Sequence, residues 1–147
     1  MKIDVGLIGK GKWGLNIKNS LNEISNLRFI IGKNDNFLSM ISKNHIKWIF
    51  IATPNITHYL IVKKCLQKGL NVFCEKPLCI SSLKAKNLIN IAKKKKLKLY
   101  VSDLYDFYSN KKIKFKLENN VYRSKLVNGK DSEFFNRFMY HDVSIFY

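Results

Sequence analysis

Short apolar segments alternate with helical segments over the first hundred residues of this chain, and this alternation limits the folds that it can adopt. Segments rich in Ile, Val, Leu and Phe predict buried strands at 2–9, 27–32, 46–52, 71–75 and 97–103. Helical spacing of apolar residues predicts helices between them, at 12–24, 36–43, 56–69 and 81–96. Strand–helix alternation with short connections is typical of a parallel sheet covered on both faces. The sequence therefore predicts a doubly wound α/β domain.

Three of the predicted helices have an apolar stripe that we expect to face the sheet. The stripe residues are Leu15, Ile17, Leu21 and Ile24 in the first helix, Leu60, Ile61, Cys65 and Leu66 in the third, and Leu83, Leu88, Ile91 and Ala92 in the fourth. Gly69 is expected to stop the third helix, and Ser81 or Ser82 to cap the fourth.

The alternation stops after about residue 103. The segment 112–127 alternates apolar and charged residues around Asn119 and Asn120, which predicts a hairpin with one face in water. The segment 131–147 is aromatic and helical in pattern. We therefore expect a domain over 1–103 and a short α+β segment over 104–147. The unpaired edge of the hairpin would invite a second strand, so a homo-oligomer through it is expected.

Charge and cysteine content narrow the classes of partner. The net charge is +17, but only three of the 27 basic residues are arginines, and the lysines are scattered over every segment. Because base readers rely on the arginine fork, we expect no specific nucleic-acid partner, although an anionic substrate would be attracted. Three cysteines without a C-x-x-C pair, no apolar leader and no long apolar run predict a cytoplasmic protein without a metal site or membrane segment.

The loop after the first predicted strand carries three glycines in a G-x-G-x-x-G pattern, within the stretch GLIGKGKWG. In a dinucleotide-binding loop the first glycine allows a tight turn, the second lets a pyrophosphate approach, and the third lets the helix pack on the strand. The helix N-terminus would then face the phosphates. The predicted cofactor contacts here are Gly9, Lys10, Gly11, Lys12, Trp13 and Gly14. Trp13 is expected either to flank the diphosphate or to cover the edge of the sheet.

The end of the second predicted strand bears on the choice between NAD and NADP. A dinucleotide-binding domain holds the adenosine ribose there, through an acid for NAD or a cation for the 2′-phosphate of NADP. The sequence IIGKNDN puts Lys33, Asn34 or Asp35 at this place, depending on the register. Lys33 would favour NADP and Asp35 would favour NAD. We expect NADP, with NAD as the alternative.

The stretch ATPNITHYLIVKKCLQKGLNVFCEKPL at 52–78 resembles the signature of the Gfo/Idh/MocA oxidoreductases, the family of glucose–fructose oxidoreductase and inositol dehydrogenase. Members show A-T-P-N-x-x-H, a helix ending in glycine, a strand, and E-K-P. The matching positions are Ala52, Thr53, Pro54, Asn55, His58, Gly69, Glu75, Lys76 and Pro77. With the glycine loop, the resemblance covers about residues 3–103 and implies a Rossmann-type domain that binds NAD or NADP.

The resemblance also implies roles for single residues. Lys76 would reach the nicotinamide and polarise the substrate hydroxyl or carbonyl during hydride transfer. Glu75 would position the strand end, and Pro77 would fix the turn, through a cis peptide bond. His58 is expected either to contact the cofactor or to pack and cap its helix. The contacts implied after the third strand are Thr53, Pro54 and Asn55.

The resemblance continues, with one departure, near the end of the chain. YHDVSIF at 140–146 is similar to the family's helix that carries a catalytic histidine, often written D-x-x-x-H-D. His141 would then accept or donate the proton of the substrate hydroxyl. Arg137 replaces the acid expected four residues earlier. Full members also have a second domain with a large open sheet, for which only about residues 104–147 remain here.

Three functions stay open on this basis. The first is an NAD(P)-dependent oxidoreductase that transfers hydride to or from a hydroxyl or keto carbon of a sugar, polyol or sugar-nucleotide. Its site would be completed by oligomerisation or by a longer chain. The alternatives are a non-catalytic nucleotide-binding module and a degenerate fragment of such an enzyme. Lys76 and His141 favour the enzyme, whereas Arg137 and the short C-terminal segment favour the alternatives.

Overall fold

The structure, a computed structural model, describes residues 2–102 of the chain. Within this range five strands form one sheet in the order β2-β1-β3-β4-β5, and every neighbouring pair is parallel. The strands are β1 (Asp4–Ile8), β2 (Asn26–Ile31), β3 (Trp48–Ile51), β4 (Asn71–Cys74) and β5 (Leu99–Val101). The predicted parallel α/β domain is therefore confirmed. The hairpin at 112–127, the helix at 131–147 and the segment 104–147 lie outside the described residues.

Four helices connect the strands, and each lies within two residues of the predicted bounds at either end. They are α1 (Lys12–Ile24), α2 (Phe37–Lys43), α3 (Asn55–Gln67) and α4 (Ser82–Lys94). The cap of α4 is Ser81, whose hydroxyl accepts a hydrogen bond from the Lys84 N–H at 3.4 Å. Among residues 2–102, no helix combines the length and apolar character needed to cross a membrane.

The C-terminus of α3 shows why Gly69 is needed there. Its φ of +82° lies in the left-handed region that glycine adopts at low cost. The Gly69 N–H donates to the Leu66 carbonyl at 3.0 Å, and the Leu70 N–H donates to the Cys65 carbonyl at 3.1 Å. These two bonds form a Schellman motif, which satisfies the last carbonyls of the helix. The predicted stop is confirmed, and the chain turns directly into β4.

Apolar residues on the two faces of the sheet form two clusters. Val5 and Leu7 pack with Leu21 of α1 on one face. The larger cluster lies on the other face, where strand residues such as Ile49 and Val72 meet α3 and α4. Full burial of one such aliphatic side chain contributes roughly 1.5–3 kcal/mol, so the second cluster dominates the stability of the domain.

Several residues of the predicted apolar stripes do not face the sheet. Leu15, Ile24, Leu60 and Leu83 are 51–77% exposed. The buried residues of α3 are His58, Val62, Cys65 and Leu66, which follow an i, i+4, i+7, i+8 pattern. A polar residue, His58, takes the first position of that stripe. Because His58 is polar, the sequence pattern placed the apolar Leu60 in the predicted stripe and left His58 out.

The order of the strands creates a switch point beside β1. The chain runs from β1 to β2 on one side, and α2 then carries it across to β3 on the other side of β1. In open α/β sheets, ligands bind outside the carboxyl ends of the strands at such a point. The relevant edge therefore lies where β1 and β3 end, at Ile8 and Ile51, which are paired in register.

Candidate functional site

The carboxyl ends of the strands are aligned by hydrogen bonds that continue the ladder past the last strand residues. The Gly9 N–H donates to the Ile31 carbonyl at 2.8 Å, and the Ala52 N–H donates to the Ile8 carbonyl at 2.8 Å. The Glu75 N–H donates to the Ile51 carbonyl at 2.9 Å. The residues that follow β1, β3 and β4 are therefore held side by side at one edge.

Two glycines of the loop are required by the fold itself. Gly9 has a φ of +126°, and a β-carbon on it would run into the backbone of Ala52 at the end of β3. Gly14 is buried in the first turns of α1, and a β-carbon there would run into the carbonyl oxygen of Gly9. The first glycine therefore makes the tight turn, and the third lets the helix pack on the turn, as the sequence pattern predicts.

The fold does not require the middle glycine. Gly11 has an ordinary extended conformation, with φ −75° and ψ 179°, and a β-carbon on it would meet no atom within 4 Å. It stands at the N-cap of α1, where no side chain caps the helix and no acid lies in the first turn. The N–H groups that a helix leaves unpaired at its start thus have no side-chain cap here. A dinucleotide phosphate fits this place, because it needs close backbone approach and free N–H donors.

The other residues of the loop are exposed at the same edge. The side chains of Lys10, Lys12 and Trp13 all reach the surface, and Trp13 is 64% exposed. Lys12 adds positive charge at the first residue of α1, where the helix dipole is also positive. An anion near Gly11 would be attracted by both.

The end of β2 holds an ion pair that the sequence pattern did not reveal. The Lys10 ammonium lies 2.9 Å from Oδ2 of Asp35, and the same oxygen accepts the Gly32 N–H at 2.8 Å. The Gly32 hydrogen bond, followed by the one from Lys10, lowers the pKa of Asp35 below its ordinary value. Lys33 is exposed beside them. The three candidate ribose contacts, Lys33, Asn34 and Asp35, therefore lie in one turn after β2.

The end of β3 leads into α3 through a compact turn. The Thr57 hydroxyl lies 2.7 Å from the Pro54 carbonyl and 2.8 Å from the Thr53 hydroxyl. A carbonyl can only accept and a hydroxyl has one proton, so Thr57 donates to Pro54 and the Thr53 hydroxyl donates to Thr57. These bonds hold the Thr53 side chain at the start of α3, where Asn55 is half-buried.

His58 is buried, with 1% of its surface exposed, and both of its ring nitrogens face backbone carbonyls. Nδ1 lies 2.7 Å from the Pro77 carbonyl, and Nε2 lies 2.8 Å from the Thr53 carbonyl. The ring thereby joins the end of β3 to the turn after β4. Neither polar atom of the ring is directed at the open edge of the sheet. Helical periodicity gives no signal for this bridge, because it joins residues 19 positions apart.

The turn after β4 carries the E-K-P sequence. Glu75 and Lys76 are half-buried, and Pro77 is buried. The peptide bond between Lys76 and Pro77 is cis, as the family resemblance implied. On the other side of the turn, the Ser102 N–H donates to the Cys74 carbonyl at 2.8 Å. Lys76 therefore follows the strand at the same edge as the glycine loop.

All but one of the predicted site residues lie at or beside this edge. The glycine loop follows β1, Lys33 follows β2, Thr53 to His58 follow β3, and Glu75 to Pro77 follow β4. The exception is His141, which lies outside the described residues. Within residues 2–102, no three His, Cys, Asp or Glu side chains are grouped as metal ligands would be.

A parallel sheet with a glycine loop at its switch point and an open helix N-terminus defines the class of Rossmann-type dinucleotide-binding domains. The sequence model of the oxidoreductase family GFO_IDH_MocA, described as an NAD-binding Rossmann fold, matches residues 16–103. The chain belongs to this family. The match begins after Gly14, so the glycine loop is an observation independent of it.

Curated relatives match over short stretches. The uncharacterized oxidoreductase YfiI of Bacillus subtilis (strain 168) is 46% identical over 50 residues, which cover 34% of this chain and 13% of the relative. The D-xylose 1-dehydrogenase (NADP(+)) of Hypocrea jecorina is 31% identical over 58 residues, or 40% of this chain and 15% of the relative. The matched part is thus less than a fifth of either relative.

Solved structures share the fold. UDP-N-acetylglucosamine 3-dehydrogenase GnnA from Acidithiobacillus ferrooxidans is 22% identical, with a TM-score of 0.60 over 69% of this chain and 38% of that one. GenD2 from gentamicin A biosynthesis, solved in complex with NAD, is 20% identical, with a TM-score of 0.61 over 69% of this chain and 34% of that one. At these identities the likeness establishes the fold alone.

Proposed function

We propose that the chain is an NAD(P)-dependent oxidoreductase whose cofactor lies along the carboxyl edge of the sheet, with its diphosphate at Gly11. One observation carries this proposal. At Gly9 and Gly14 a β-carbon would collide with backbone atoms, so the fold itself requires glycine there. Gly11 has an ordinary conformation, and a β-carbon on it would meet open space. A glycine that the fold does not need, at an uncapped helix N-terminus, is accounted for by a phosphate that must come close.

The residues of the edge divide into two groups along the proposed cofactor. The loop from Gly9 to Gly14, with Lys10, Lys12 and Trp13, would hold the diphosphate. The groups proposed beside the nicotinamide are Thr53, Pro54, Asn55, Glu75, Lys76 and Pro77. When bound, the nicotinamide supplies the hydride donor or acceptor. The domain boundary near residue 103 is part of the same proposal, because the described edge would supply the cofactor half of the site.

Two side chains are proposed to act on the substrate. Lys76 would place its ammonium near the reacting oxygen and stabilise negative charge that develops on it. His141 would accept or donate the hydroxyl proton. The pair divides the work of the reaction, because one group stabilises charge on the oxygen while the other moves its proton.

NADP is the proposed cofactor, because two lysines lie at the turn that would hold the ribose. Lys33 is exposed there, and Lys10 reaches the same turn to pair with Asp35. An ammonium suits a 2′-phosphate, whereas an acid suits the 2′-hydroxyl of NAD. Two cations and one acid give this turn a net positive charge. One relative is named as NADP-dependent, and one solved structure of the same fold contains NAD.

The proposed substrates are a sugar, a polyol or a sugar-nucleotide, with reaction at a hydroxyl or keto carbon. The names of two similar proteins support this class, since one acts on D-xylose and the other on UDP-N-acetylglucosamine. The net charge of +17 would also favour an anionic substrate such as a sugar-nucleotide, through long-range attraction.

Cofactor binding is tested by titrating the intact chain with NADPH and with NADH while following tryptophan fluorescence. The chain has two tryptophans. Trp13 lies in the glycine loop, whereas Trp48 starts β3 at the opposite edge and stacks on Tyr100, with ring centroids 5.9 Å apart. The Trp48→Phe variant keeps an aromatic ring on Tyr100 and leaves Trp13 as the sole reporter.

The outcomes separate the possible functions. Saturable quenching in Trp48→Phe, together with reduction of NADP by sugars or polyols, supports the oxidoreductase. Quenching without turnover of any such substrate supports a nucleotide-binding module. The absence of quenching by both nucleotides, combined with the absence of protection against thermal unfolding, would reject the proposed cofactor site.

A further inference from the structure

The imidazole of His58 is a buried polar side chain at the edge of the sheet for which the proposed chemistry has no use. Its two nitrogens lie 2.7 Å from the Pro77 carbonyl and 2.8 Å from the Thr53 carbonyl. Both distances are those of good hydrogen bonds. Nothing about the packing of α3 requires a polar ring here, since the neighbouring stripe residues Val62, Cys65 and Leu66 are apolar.

The chemistry of the two partners limits the proton count of the ring. A backbone carbonyl can only accept a hydrogen bond, and a neutral imidazole has one N–H and one lone pair. A neutral ring can therefore donate to Thr53 or to Pro77, and its lone pair would face the other oxygen. Only a ring with protons on both nitrogens donates to both carbonyls. A buried polar group that lacks a hydrogen-bond partner is costly. The neutral ring leaves one of the two carbonyls without a donor, so it should hold the two turns together less firmly than the doubly protonated ring.

We infer that His58 is a positioning residue, which clamps the turn after β3 to the turn after β4 and does so fully only when both ring nitrogens are protonated. One end of the clamp is the carbonyl that precedes Pro54 and Asn55. The other end is the carbonyl of Pro77, next to Lys76. The clamp thus holds the proposed nicotinamide contacts and the proposed catalytic lysine at a fixed separation. This role rests on the proposed function for its consequence, but the clamp itself is a property of the free protein.

The titratable side chains on α3 and in the connection after β4 include thiols, lysines and one carboxylate. Burial raises the pKa of Cys65 on α3 to about 12 and also raises the pKa of Cys74 at the end of β4, so both stay neutral thiols. The pKa of Cys79 in the next connection is raised as well, chiefly by burial. The charged side chains in that connection are Glu75 and Lys76, one of each sign. On α3 the basic Lys63 and Lys64 follow one turn later, at the rings of Tyr59 and Phe37.

Nuclear magnetic resonance of the intact, cofactor-free chain tests the clamp directly. In uniformly ¹³C,¹⁵N-labelled protein, ring nitrogen shifts report the proton count of each histidine, and carbonyl carbon shifts of Thr53 and Pro77 report the hydrogen bonds they accept. Both sets of shifts are followed from pH 5.5 to pH 9. One of the two carbonyl carbons should shift wherever the ring loses a proton. Both signals stay in His45→Gln, which replaces an exposed histidine.

Two results would overturn the inference. One is a His58 ring that keeps a single N–H at every pH between 5.5 and 9. The other is a pair of carbonyl shifts that do not follow the ring. Neither result depends on cofactor binding, so the clamp can fail while the proposed function stands. If the clamp is present and no nucleotide binds, the proposed function fails alone.

The effect on the site is measured by NADH affinity at pH 6 and pH 8.5. NADH is the suitable probe, because its diphosphate keeps the same charge over this range. In the wild-type chain and in His45→Gln, binding should weaken by up to about tenfold toward pH 8.5, the equivalent of one hydrogen bond to a charged donor. His58→Gln should lose this pH dependence and bind with the lower affinity throughout. An equal pH dependence in His58→Gln and in the wild-type chain would contradict the positioning role, whatever the stability of the variant.

Discussion

The Lys10 ammonium and the Asp35 carboxylate lie 2.9 Å apart, although the two residues are 25 positions apart in the chain. Lys10 belongs to the glycine loop and Asp35 to the turn after β2. The same carboxylate oxygen holds the Gly32 N–H at 2.8 Å. This contact ties the proposed diphosphate loop to the proposed ribose turn. Both side chains are about half exposed, so a ligand could compete for either.

Asp35→Asn should shift cofactor preference toward NADPH. The change removes the acid that neutralises Lys10 and leaves two lysines at the ribose turn, where they would attract a 2′-phosphate. Solvent screens an exposed ion pair of this kind, so the ratio of NADH to NADPH dissociation constants should rise only a few-fold, and most clearly at low salt. Fluorescence titrations in the Trp48→Phe background measure the ratio. Lys33→Ala should lower it, and a ratio unchanged in both variants would place the 2′-phosphate elsewhere.

The acid side of the stability curve depends on Asp4 and Asp35. The hydrogen bond from Arg28 is the main cause that lowers the pKa of Asp4, and the Gly32 N–H is the main cause for Asp35. A lowered folded pKa means that each carboxylate favours folding when ionised. That contribution is complete above the ordinary value of 3.8 and is lost as the pH falls through the lower folded pKa.

Asp4→Asn should therefore flatten the loss of stability on acidification. Urea unfolding midpoints between pH 5 and pH 2 should fall less in Asp4→Asn than in the wild-type chain, while at pH 7 the variant should be the less stable of the two. Glu23→Gln replaces an exposed acid of α1 and serves as the matched control. Parallel curves for Asp4→Asn and the wild-type chain would show that this ion pair does not act on folding.

The sequence predicted the order of elements well, because each depends on local information. Alternating apolar runs, the glycine loop, Gly69 and Ser81 fix where strands and helices begin and end. The inward faces of the helices were predicted less well. In α3 the polar His58 is buried and the apolar Leu60 is exposed, which is the reverse of what their polarity predicts. Burial of His58 is stable because both nitrogens have partners, and those partners come from two distant turns.

The contacts within the candidate site were beyond the reach of sequence patterns. Family resemblance supplied the residues that surround the edge, but neither the Lys10–Asp35 pair nor the bridge from His58 to Pro77 follows from any spacing. Both contacts arise because parallel strands bring their carboxyl ends together, whatever the separation along the chain. The sequence also could not decide between Lys33 and Asp35 at the end of β2. Both residues lie in one turn, and only the structure shows that the Asp35 side chain folds back to the Gly32 N–H.

Gly14→Ala should mainly destabilise the fold, whereas Gly11→Ala should mainly weaken cofactor binding. A β-carbon at Gly14 collides with the Gly9 carbonyl, so Gly14→Ala should lower the free energy of unfolding by about 3 kcal/mol or more. A β-carbon at Gly11 meets nothing, so Gly11→Ala should cost at most about 1 kcal/mol, the effect of a poorer helix cap.

Cofactor titration completes this comparison. Gly11→Ala should stay folded by circular dichroism yet bind NADH at least about tenfold more weakly, because its methyl group occupies the approach to the α1 N–H groups. Gly11→Ser offers a second variant with a helix-capping side chain in the same place. Wild-type affinity in both would mean that the open space at Gly11 is not used by the diphosphate.

The three thiols should differ in reactivity in a fixed order. Burial raises the pKa of Cys65 to about 12 and raises that of Cys74, whereas Cys79 is only half-buried. The thiolate is the reactive form, so Cys79 should react first with a disulfide reagent at pH 8, and the other two should react at the slow rate of local opening. Cys79→Ser should remove the fast phase. A fast phase that persists in this variant would show that β4 or α3 opens readily.

Lys76→Ala should lower turnover at least ~10²-fold, the scale of a lost electrostatic or acid–base group. Binding of NADPH should change little, because the diphosphate contacts lie at the other end of the proposed cofactor.

The matched control is Lys84→Ala, which removes an exposed lysine at the start of α4 whose ammonium lies 5.3 Å from the centre of the Tyr59 ring. Rates are measured with the proposed sugar or polyol substrate that gives the highest rate with the wild-type chain. Unchanged turnover in Lys76→Ala would exclude the lysine from the reaction, whereas lost NADPH binding would make it a cofactor contact. Only a loss of turnover with binding intact assigns Lys76 to the reacting oxygen, since stabilisation confined to the transition state does not alter ground-state affinity.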